Sequence, residues 1–123
     1  MLTDADWFNR LALIVAGIFG AGGTAAAAAA SHSANERVLG ALALVALTHA
    51  AVFLAFGLST VTGRLLRGGA LIIGAGVGLF ATDLAVRHVF DHALFPMAAP
   101  IGGMMIIAGW TLISIAGVIG RRG

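Results

Sequence analysis

The residues of this sequence that could do chemistry are the ionisable side chains inside its apolar segments. His49 is the clearest of them, because it lies 12 residues after Arg37. Along a helix this separation is about 18 Å, which places the imidazole close to the middle of a bilayer. A neutral imidazole at that depth needs a hydrogen-bond partner, and Thr24 and Thr48 are candidates. The alternatives are that His49 relays protons or contacts a quinone.

A second group of charged side chains follows at helical spacing. Asp83, Arg87 and Asp91 occupy positions i, i+4 and i+8, on one face if the helix continues that far. An aspartate four residues before an arginine is the favourable order for an intrahelical ion pair. We therefore predict a structural ion pair between Asp83 and Arg87, with a functional carboxylate as the alternative.

Two histidines at i, i+4 spacing could present their imidazoles to one metal ion. These are His88 and His92, and a third ligand could come from Asp91 or His32. A haem held between His32 and one of the pair is a further option. Because two histidines without a metal-site motif are a weak signal, we predict neither a resident metal nor a cofactor. The candidates for cofactor contact are His49, His32 and Arg87, and those for a metal are His88 and His92.

The composition indicates what kind of scaffold positions these side chains. Of the 123 residues, 60% are hydrophobic and only 10% are charged, with a mean hydropathy of +1.04. Soluble domains have about 45–50% apolar and about 25% charged residues. A soluble enzyme, a disordered tail and a nucleic-acid-binding module are therefore excluded. Cysteine is absent, and no phosphate loop or nucleophile–base set is present, so we predict no catalytic residue.

Charged residues divide the chain into four stretches that could cross a membrane. Between Arg10 and Glu36 there are 25 uncharged residues, and between Arg37 and Arg64 there are 26. A membrane helix needs about 20 apolar residues. The third stretch is shorter, so its helix must carry Asp83 in an outer turn. We predict one all-α transmembrane domain, residues 1–123, with spans at about 11–32, 38–62, 68–88 and 101–120.

The connections between these spans predict how they are arranged. Short connections make successive helices antiparallel neighbours, which gives an up-down four-helix bundle. Pro96 and Pro100 predict a turn within 91–100. Asp4 and Asp6 suit a signal peptide poorly, so we expect the first span to be a retained helix. The side of the termini holds more arginines than the opposite side, which places both termini in the cytoplasm. The side of the termini carries Arg10, Arg64, Arg67, Arg121 and Arg122, whereas the opposite side carries Arg37 and Arg87.

Small residues recur every four positions on the first and third predicted helices. In a membrane, such residues let helix backbones approach closely. We predict that they pack the helices of the bundle together, with contact to a second copy or a partner subunit as the alternative. The two stripes are Ala12, Ala16, Gly20, Thr24 and Ala28, and Ala70, Gly74, Gly78 and Thr82. The glycines expected to pack helices are Gly20, Gly74, Gly78, Gly102, Gly103 and Gly109.

The segment Pro100-Ile101-Gly102-Gly103, followed by Gly109-Trp110, resembles a known signature. It is similar to the Pro-Ile-Gly-Gly, then Gly-Trp, motif of small bacterial inner-membrane proteins catalogued as domain of unknown function four-two-three. The pair His49-Ala50 and the stretch from Gly20 to His32 are similar to further parts of that family. Asp83 departs from it, because the family is neutral at that position. The resemblance implies a four-helix protein of the bacterial inner membrane and supplies no activity.

A second segment, Arg87-His88-Val89-Phe90-Asp91, is similar to an element of another membrane family. It looks like the Arg-His…Asp element of cytochrome b anchor subunits of succinate dehydrogenases, with one residue fewer than the usual spacing. This resemblance implies a membrane anchor that contacts quinone or haem.

Taken together, these patterns predict a non-catalytic membrane protein. We expect an accessory or structural subunit that contacts the lipid bilayer and packs against a larger membrane complex or against copies of itself. We expect no nucleic-acid partner. One alternative is a quinone- or haem-contacting anchor of a respiratory-type complex. The other is a small proton- or solute-conducting bundle that uses His49 and Asp83.

Overall fold

Four long helices make up most of the protein. A computed structural model describes residues 7–120, and Asp4, Asp6, Arg121 and Arg122 lie outside these described residues. Each of the four helices is long and apolar enough to cross a membrane, and residues 7–120 contain no strand. The predicted all-α four-helix bundle is confirmed. Its helices are α1 (Trp7–Ala30), α2 (Glu36–Leu58), α3 (Arg64–Phe90) and α4 (Ala98–Ile119).

The helix ends differ from the predicted spans, because apolarity locates the membrane core and not the ends of a helix. Every helix begins before its predicted span. In α1 to α3 polar residues such as Asn9 and Arg10 form part of the first turns, and α4 begins at Ala98, two residues before Pro100. α2 ends at Leu58 instead of residue 62. Its cap Ser59 is extended (φ −114°, ψ 161°), and the β-branched residues 60–62 that follow favour extended backbone.

Helices that are neighbours in the chain form the closest pairs. α1 packs closely against α2, α3 packs closely against α4, and α2 contacts α3 more loosely. The bundle is therefore built from two antiparallel hairpins. We call the end that contains Trp7, Leu58, Arg64 and Ile119 the terminal side, and the opposite end the hairpin-loop side.

Aromatic rings fill the core of the terminal half. Phe8 contacts Phe56 edge-on, Phe56 contacts Phe53, and Phe53 contacts Phe19, with ring centroids 5.6–6.2 Å apart. Two of these rings are on α1 and two are on α2, and the chain of contacts runs from the terminal side to the middle of α1. On the hairpin-loop side the core consists mainly of smaller side chains, among them Ala26, Ala43 and Ala46. This difference in side-chain size leaves more space on the hairpin-loop side.

Polar side chains close the terminal side. The Asn9 amide on α1 donates hydrogen bonds to the carbonyls of Phe56, Gly57 and Ser59 at 3.1, 3.3 and 2.6 Å. Carbonyls at a helix C-terminus have no partner within their own helix, so Asn9 stabilises the end of α2 from the neighbouring helix. Arg67 of α3 donates to the carbonyl of Val61 at 2.8 Å, which fixes the α2–α3 connection.

The four-residue stripes describe the packing faces only in part. Because an α-helix has 3.6 residues per turn, a four-residue repeat drifts around the axis by about 40° at each step. On α1, Ala12 and Ala16 are buried, but Thr24 and Ala28 are exposed. On α3, Thr82 is likewise exposed. The buried faces instead follow steps of three and four residues, through Gly23 and Ala26 on α1 and through Gly69, Ala70, Ile73, Gly76, Val77, Asp83 and Leu84 on α3.

Glycines let α3 and α4 approach each other most closely. Gly69 lies opposite Gly109 and Gly76 lies opposite Gly102, so each helix contributes two glycines seven residues apart. A Cβ atom added at Gly102 would lie 2.8 Å from the Gly76 carbonyl oxygen. One added at Gly69 would lie 2.9 Å from the Gly109 carbonyl oxygen. The two backbones are therefore in direct contact at two levels of the membrane.

Only some of the glycines predicted to pack helices together lie in a contact between helices. Gly102 and Gly109 lie in the α3–α4 contact, Gly74 lies against the Phe53 ring, and Gly20 makes an ordinary contact with Ala50. The prediction is wrong for Gly78 and Gly103, where an added Cβ would have no neighbour within 4 Å. Gly78 faces an open space between α1 and α3, and Gly103 makes no close contact with a neighbouring helix. Four other glycines pack closely although they were not among those predicted: Gly23, Gly57, Gly69 and Gly76.

Candidate functional site

Asp83 is a fully buried charged residue on α3. One carboxylate oxygen, Oδ2, accepts a hydrogen bond from Nε of Arg87 at 2.8 Å, which is the ion pair expected from the spacing. The other, Oδ1, accepts a hydrogen bond from the backbone N–H of Leu94 at 2.7 Å. Both oxygens of the carboxylate are thus used within the protein, as a buried charge requires.

The bond to Leu94 shows what the buried carboxylate does for the fold. Leu94 lies in the α3–α4 connection, 11 residues beyond Asp83, so the carboxylate ties this connection to the body of α3. The connection begins at Asp91, whose left-handed backbone (φ 59°) ends α3 after Phe90. Asp91 is therefore not on the face shared by Asp83 and Arg87, because the helix does not continue that far. Pro100 lies in the first turn of α4, where the missing N–H costs no helical hydrogen bond.

His88 binds the connection between α1 and α2. Its Nδ1 lies 3.2 Å from the side-chain amide nitrogen of Asn35. The amide nitrogen can only donate, so Nδ1 is the acceptor and the neutral imidazole carries its proton on Nε2. This hydrogen bond joins the two hairpins at the hairpin-loop side.

The histidines proposed as metal or haem ligands are separated by the end of α3. His88 is on the helix, whereas His92 lies beyond it, with Nδ1 bonded to the carbonyl of Ala93 at 2.8 Å. The i, i+4 spacing therefore does not place both imidazoles on one helix face. His32 is exposed in the α1–α2 connection. Within residues 7–120, no three His, Asp or Glu side chains are grouped so that they could hold a metal ion.

His49 joins α2 to α4 through its imidazole. Nδ1 lies 2.8 Å from the carbonyl of Val45, to which it donates, and Nε2 accepts a hydrogen bond from Nε1 of Trp110 at 3.2 Å. Both hydrogen bonds require the same neutral tautomer of the imidazole, with the proton on Nδ1. Thr48 Oγ1 is also near Nδ1, at 3.3 Å.

The interhelical partner of His49 differs from the one expected. Thr24 is exposed on α1 and makes no hydrogen bond to His49. Trp110 takes this role, and its indole N–H provides the signal that could have identified it, because such a group needs an acceptor in an apolar environment. Both imidazole nitrogens are engaged, so coordination of haem or contact with a quinone at His49 would require breaking the bond to Trp110 or to Val45.

Replacing Trp110 by phenylalanine should weaken the contact between α2 and α4. The ring is kept but its N–H donor is lost, and we expect a loss of about 1 kcal/mol in the free energy of unfolding, typical of one interhelical hydrogen bond in a membrane. Unfolding in mixed detergent–SDS micelles, followed by circular dichroism, measures this loss. Thr111→Val is the matched control, because the Thr111 hydroxyl bonds only to Ile107 of its own helix. Equal stability of Trp110→Phe and wild type would show that the bond contributes nothing.

A groove opens between α1 and α3 on the hairpin-loop side. α2 forms its floor, and its volume is about 450 Å³. Its walls carry small residues of α1 and α3, including the unpacked Gly78, and His88 lies at its outer end. A smaller depression of about 130 Å³ lies between the same two helices on the terminal side, around Phe8 and Phe53. The loose contact between the two hairpins leaves this groove open.

Comparisons with known proteins add no relative: no protein-family model, no curated protein and no solved structure matches this chain. The family resemblance of the segment from Pro100 to Trp110 therefore stays a prediction. The residues that carry it have clear structural roles. Gly102 and Gly109 contact α3, and Trp110 binds His49.

Proposed function

We propose that this protein is a non-catalytic accessory or structural subunit of a larger complex in the bacterial inner membrane, with both termini in the cytoplasm. The observation that carries this proposal is the use of its polar side chains. Asp83, Arg87, His88 and His49 all bond within the chain, and no buried side-chain nitrogen or oxygen in residues 7–120 lacks a hydrogen-bond partner. These polar residues thus hold the helices and their connections together, which supports a structural role.

The outer surface supports a role in assembly. α4 is the least enclosed helix, with only Ala98, Gly102, Gly109 and Ala116 buried. Apart from Thr111 and Ser114, the rest of its surface is apolar and includes Met104, which is 66% exposed. Because such a face can pack against a neighbouring membrane helix, α4 is the side that we assign to the partner.

The contact between His49 and Trp110 supports a location in the bacterial inner membrane. Both residues belong to segments that resemble the inner-membrane family, and these segments are in contact through a hydrogen bond. The distribution of arginine on the terminal side supports the orientation, because arginine-rich ends remain in the cytoplasm.

Cross-linking from single cysteines tests this proposal. The sequence contains no cysteine, so Met104→Cys introduces one unique thiol on the outer face of α4 for a photoreactive maleimide. Met105→Cys is the matched control, because Met105 faces Gly76 within the chain. We expect Met104→Cys to cross-link to one protein that also co-purifies at fixed stoichiometry in mild detergent. A free monomer, or cross-links only to lipid or to a second copy, would overturn the proposal.

A further inference from the structure

The groove between α1 and α3 has the dimensions of one leaflet. Along α1 it extends from Ile18 to Ala29, a rise of about 17 Å. The hydrocarbon core of a bilayer is about 30 Å thick, so the groove covers about half of it. Phe19 lies at its inner end near the middle of the membrane, where its ring contacts Phe53. The outer end lies at the level of the hairpin loops.

The walls of the groove are shaped for an apolar chain. Most of the side chains along the α1 and α3 walls are small, and every residue that lines the groove is apolar except Thr82 and His88. Its volume of about 450 Å³ lies within the range of ligand-binding pockets, about 300–1,000 Å³. The small residues of the two walls are Gly22, Gly23, Ala25, Ala26 and Ala29 on α1 and Gly78, Ala81 and Ala85 on α3.

A hydrogen-bond donor is placed at the outer end of this apolar space. His88 lines the groove two residues before the end of α3. Its Nδ1 is occupied by Asn35, so the proton of the neutral imidazole is on Nε2, and no described residue accepts a hydrogen bond from it. At this depth the neighbouring lipids carry their ester carbonyls, which accept hydrogen bonds.

We propose that the groove binds one acyl chain of a phospholipid from the leaflet on the hairpin-loop side, and that His88 Nε2 donates a hydrogen bond to its ester carbonyl. The half-membrane length favours a lipid over a transmembrane helix, which would need a groove across the full core. The donor at the outer end favours a carbonyl-bearing lipid over a plain hydrocarbon. This lipid fills the space between the hairpins and contributes to their contact.

Native mass spectrometry tests the proposal. The full chain is embedded in phospholipid nanodiscs and then transferred into mild detergent for the measurement. Gly22→Leu and Gly78→Leu fill the groove, and neither introduced Cβ meets an atom within 4 Å. Gly17→Leu on α1 and Gly103→Leu on α4 are matched controls, because they have the same free space but lie outside the groove. We expect wild type and both controls to retain one phospholipid per chain, and both groove variants to lose it. Circular dichroism checks that all four variants remain helical.

The role of His88 has its own readout in the same experiment. His88→Leu removes the Nε2 donor together with the bond to Asn35, and we expect the apparent affinity for phospholipid to fall at least about fivefold, the effect of one net hydrogen bond. His88→Gln keeps an N–H donor and should restore part of the affinity. Equal retention by all variants, no retained phospholipid in wild type, or a retained quinone would each overturn the proposal.

Discussion

Asp83→Asn should destabilise the protein by about 3 kcal/mol, because it breaks a buried ion pair. The substitution keeps the shape of the side chain and an oxygen that can accept from Leu94, but it removes the negative charge beside Arg87. Since the Arg87 side chain is 41% exposed, solvent offsets part of the loss, and we expect a value at the lower end for buried pairs. Unfolding in mixed micelles containing SDS gives the free energy.

Asp91→Asn is the matched control for this prediction. Asp91 carries the same charge eight residues further on, is exposed, and has a left-handed backbone that asparagine tolerates. We expect a change below about 0.5 kcal/mol for this variant. Asp83→Ala should cost more than Asp83→Asn, because it also leaves the Leu94 N–H without its acceptor, and hydrogen exchange at Leu94 should become faster. If Asp83→Asn and Asp91→Asn unfold alike, the carboxylate has no structural role.

Gly102→Ala should separate α3 from α4 and cost about 2 kcal/mol, within the range for overpacked contacts. The added Cβ would lie 2.8 Å from the carbonyl oxygen of Gly76 and 2.9 Å from the backbone nitrogen of Phe80. Neither backbone atom can move aside as a side chain would, so the helices themselves must shift. Gly102→Val should cost more than Gly102→Ala.

The neighbouring glycine provides the control for this experiment. Gly103 is on the same helix turn, and an added Cβ would meet nothing within 4 Å. Gly103→Ala should therefore leave the free energy of unfolding unchanged or raise it slightly, since alanine is the better helix former. A loss of stability in Gly103→Ala equal to that in Gly102→Ala would mean that close backbone contact is not what these glycines provide.

The sequence was sufficient for the membrane helices and for the ion pair, because both depend on local spacing. Four predominantly apolar stretches predicted four helices, and the i, i+4 order predicted the bond between Asp83 and Arg87. Contacts between distant residues could not be predicted in this way. The bond of Trp110 to His49 depends on how α4 lies against α2, and that of Leu94 to Asp83 depends on the course of a loop.

The glycines show the same limit. Gly102 and Gly103 are adjacent and chemically identical, yet only Gly102 faces α3, because one residue turns the helix by about 100°. A four-residue repeat correctly included Ala12 and Ala16 but then drifted off the buried face. The seven-residue spacing shared by Gly69 with Gly76 and by Gly102 with Gly109 is the pattern that would have identified the interface.

The pairing of neighbours in the chain bears on how the protein is made. The closest helix contacts lie within residues 7–58 or within residues 64–119, and each hairpin contains its own closely packed glycines. The first hairpin can therefore leave the translocation machinery and reach its final packing before synthesis of the second is complete. Biogenesis then reduces to two successive insertions followed by one lateral association in the bilayer.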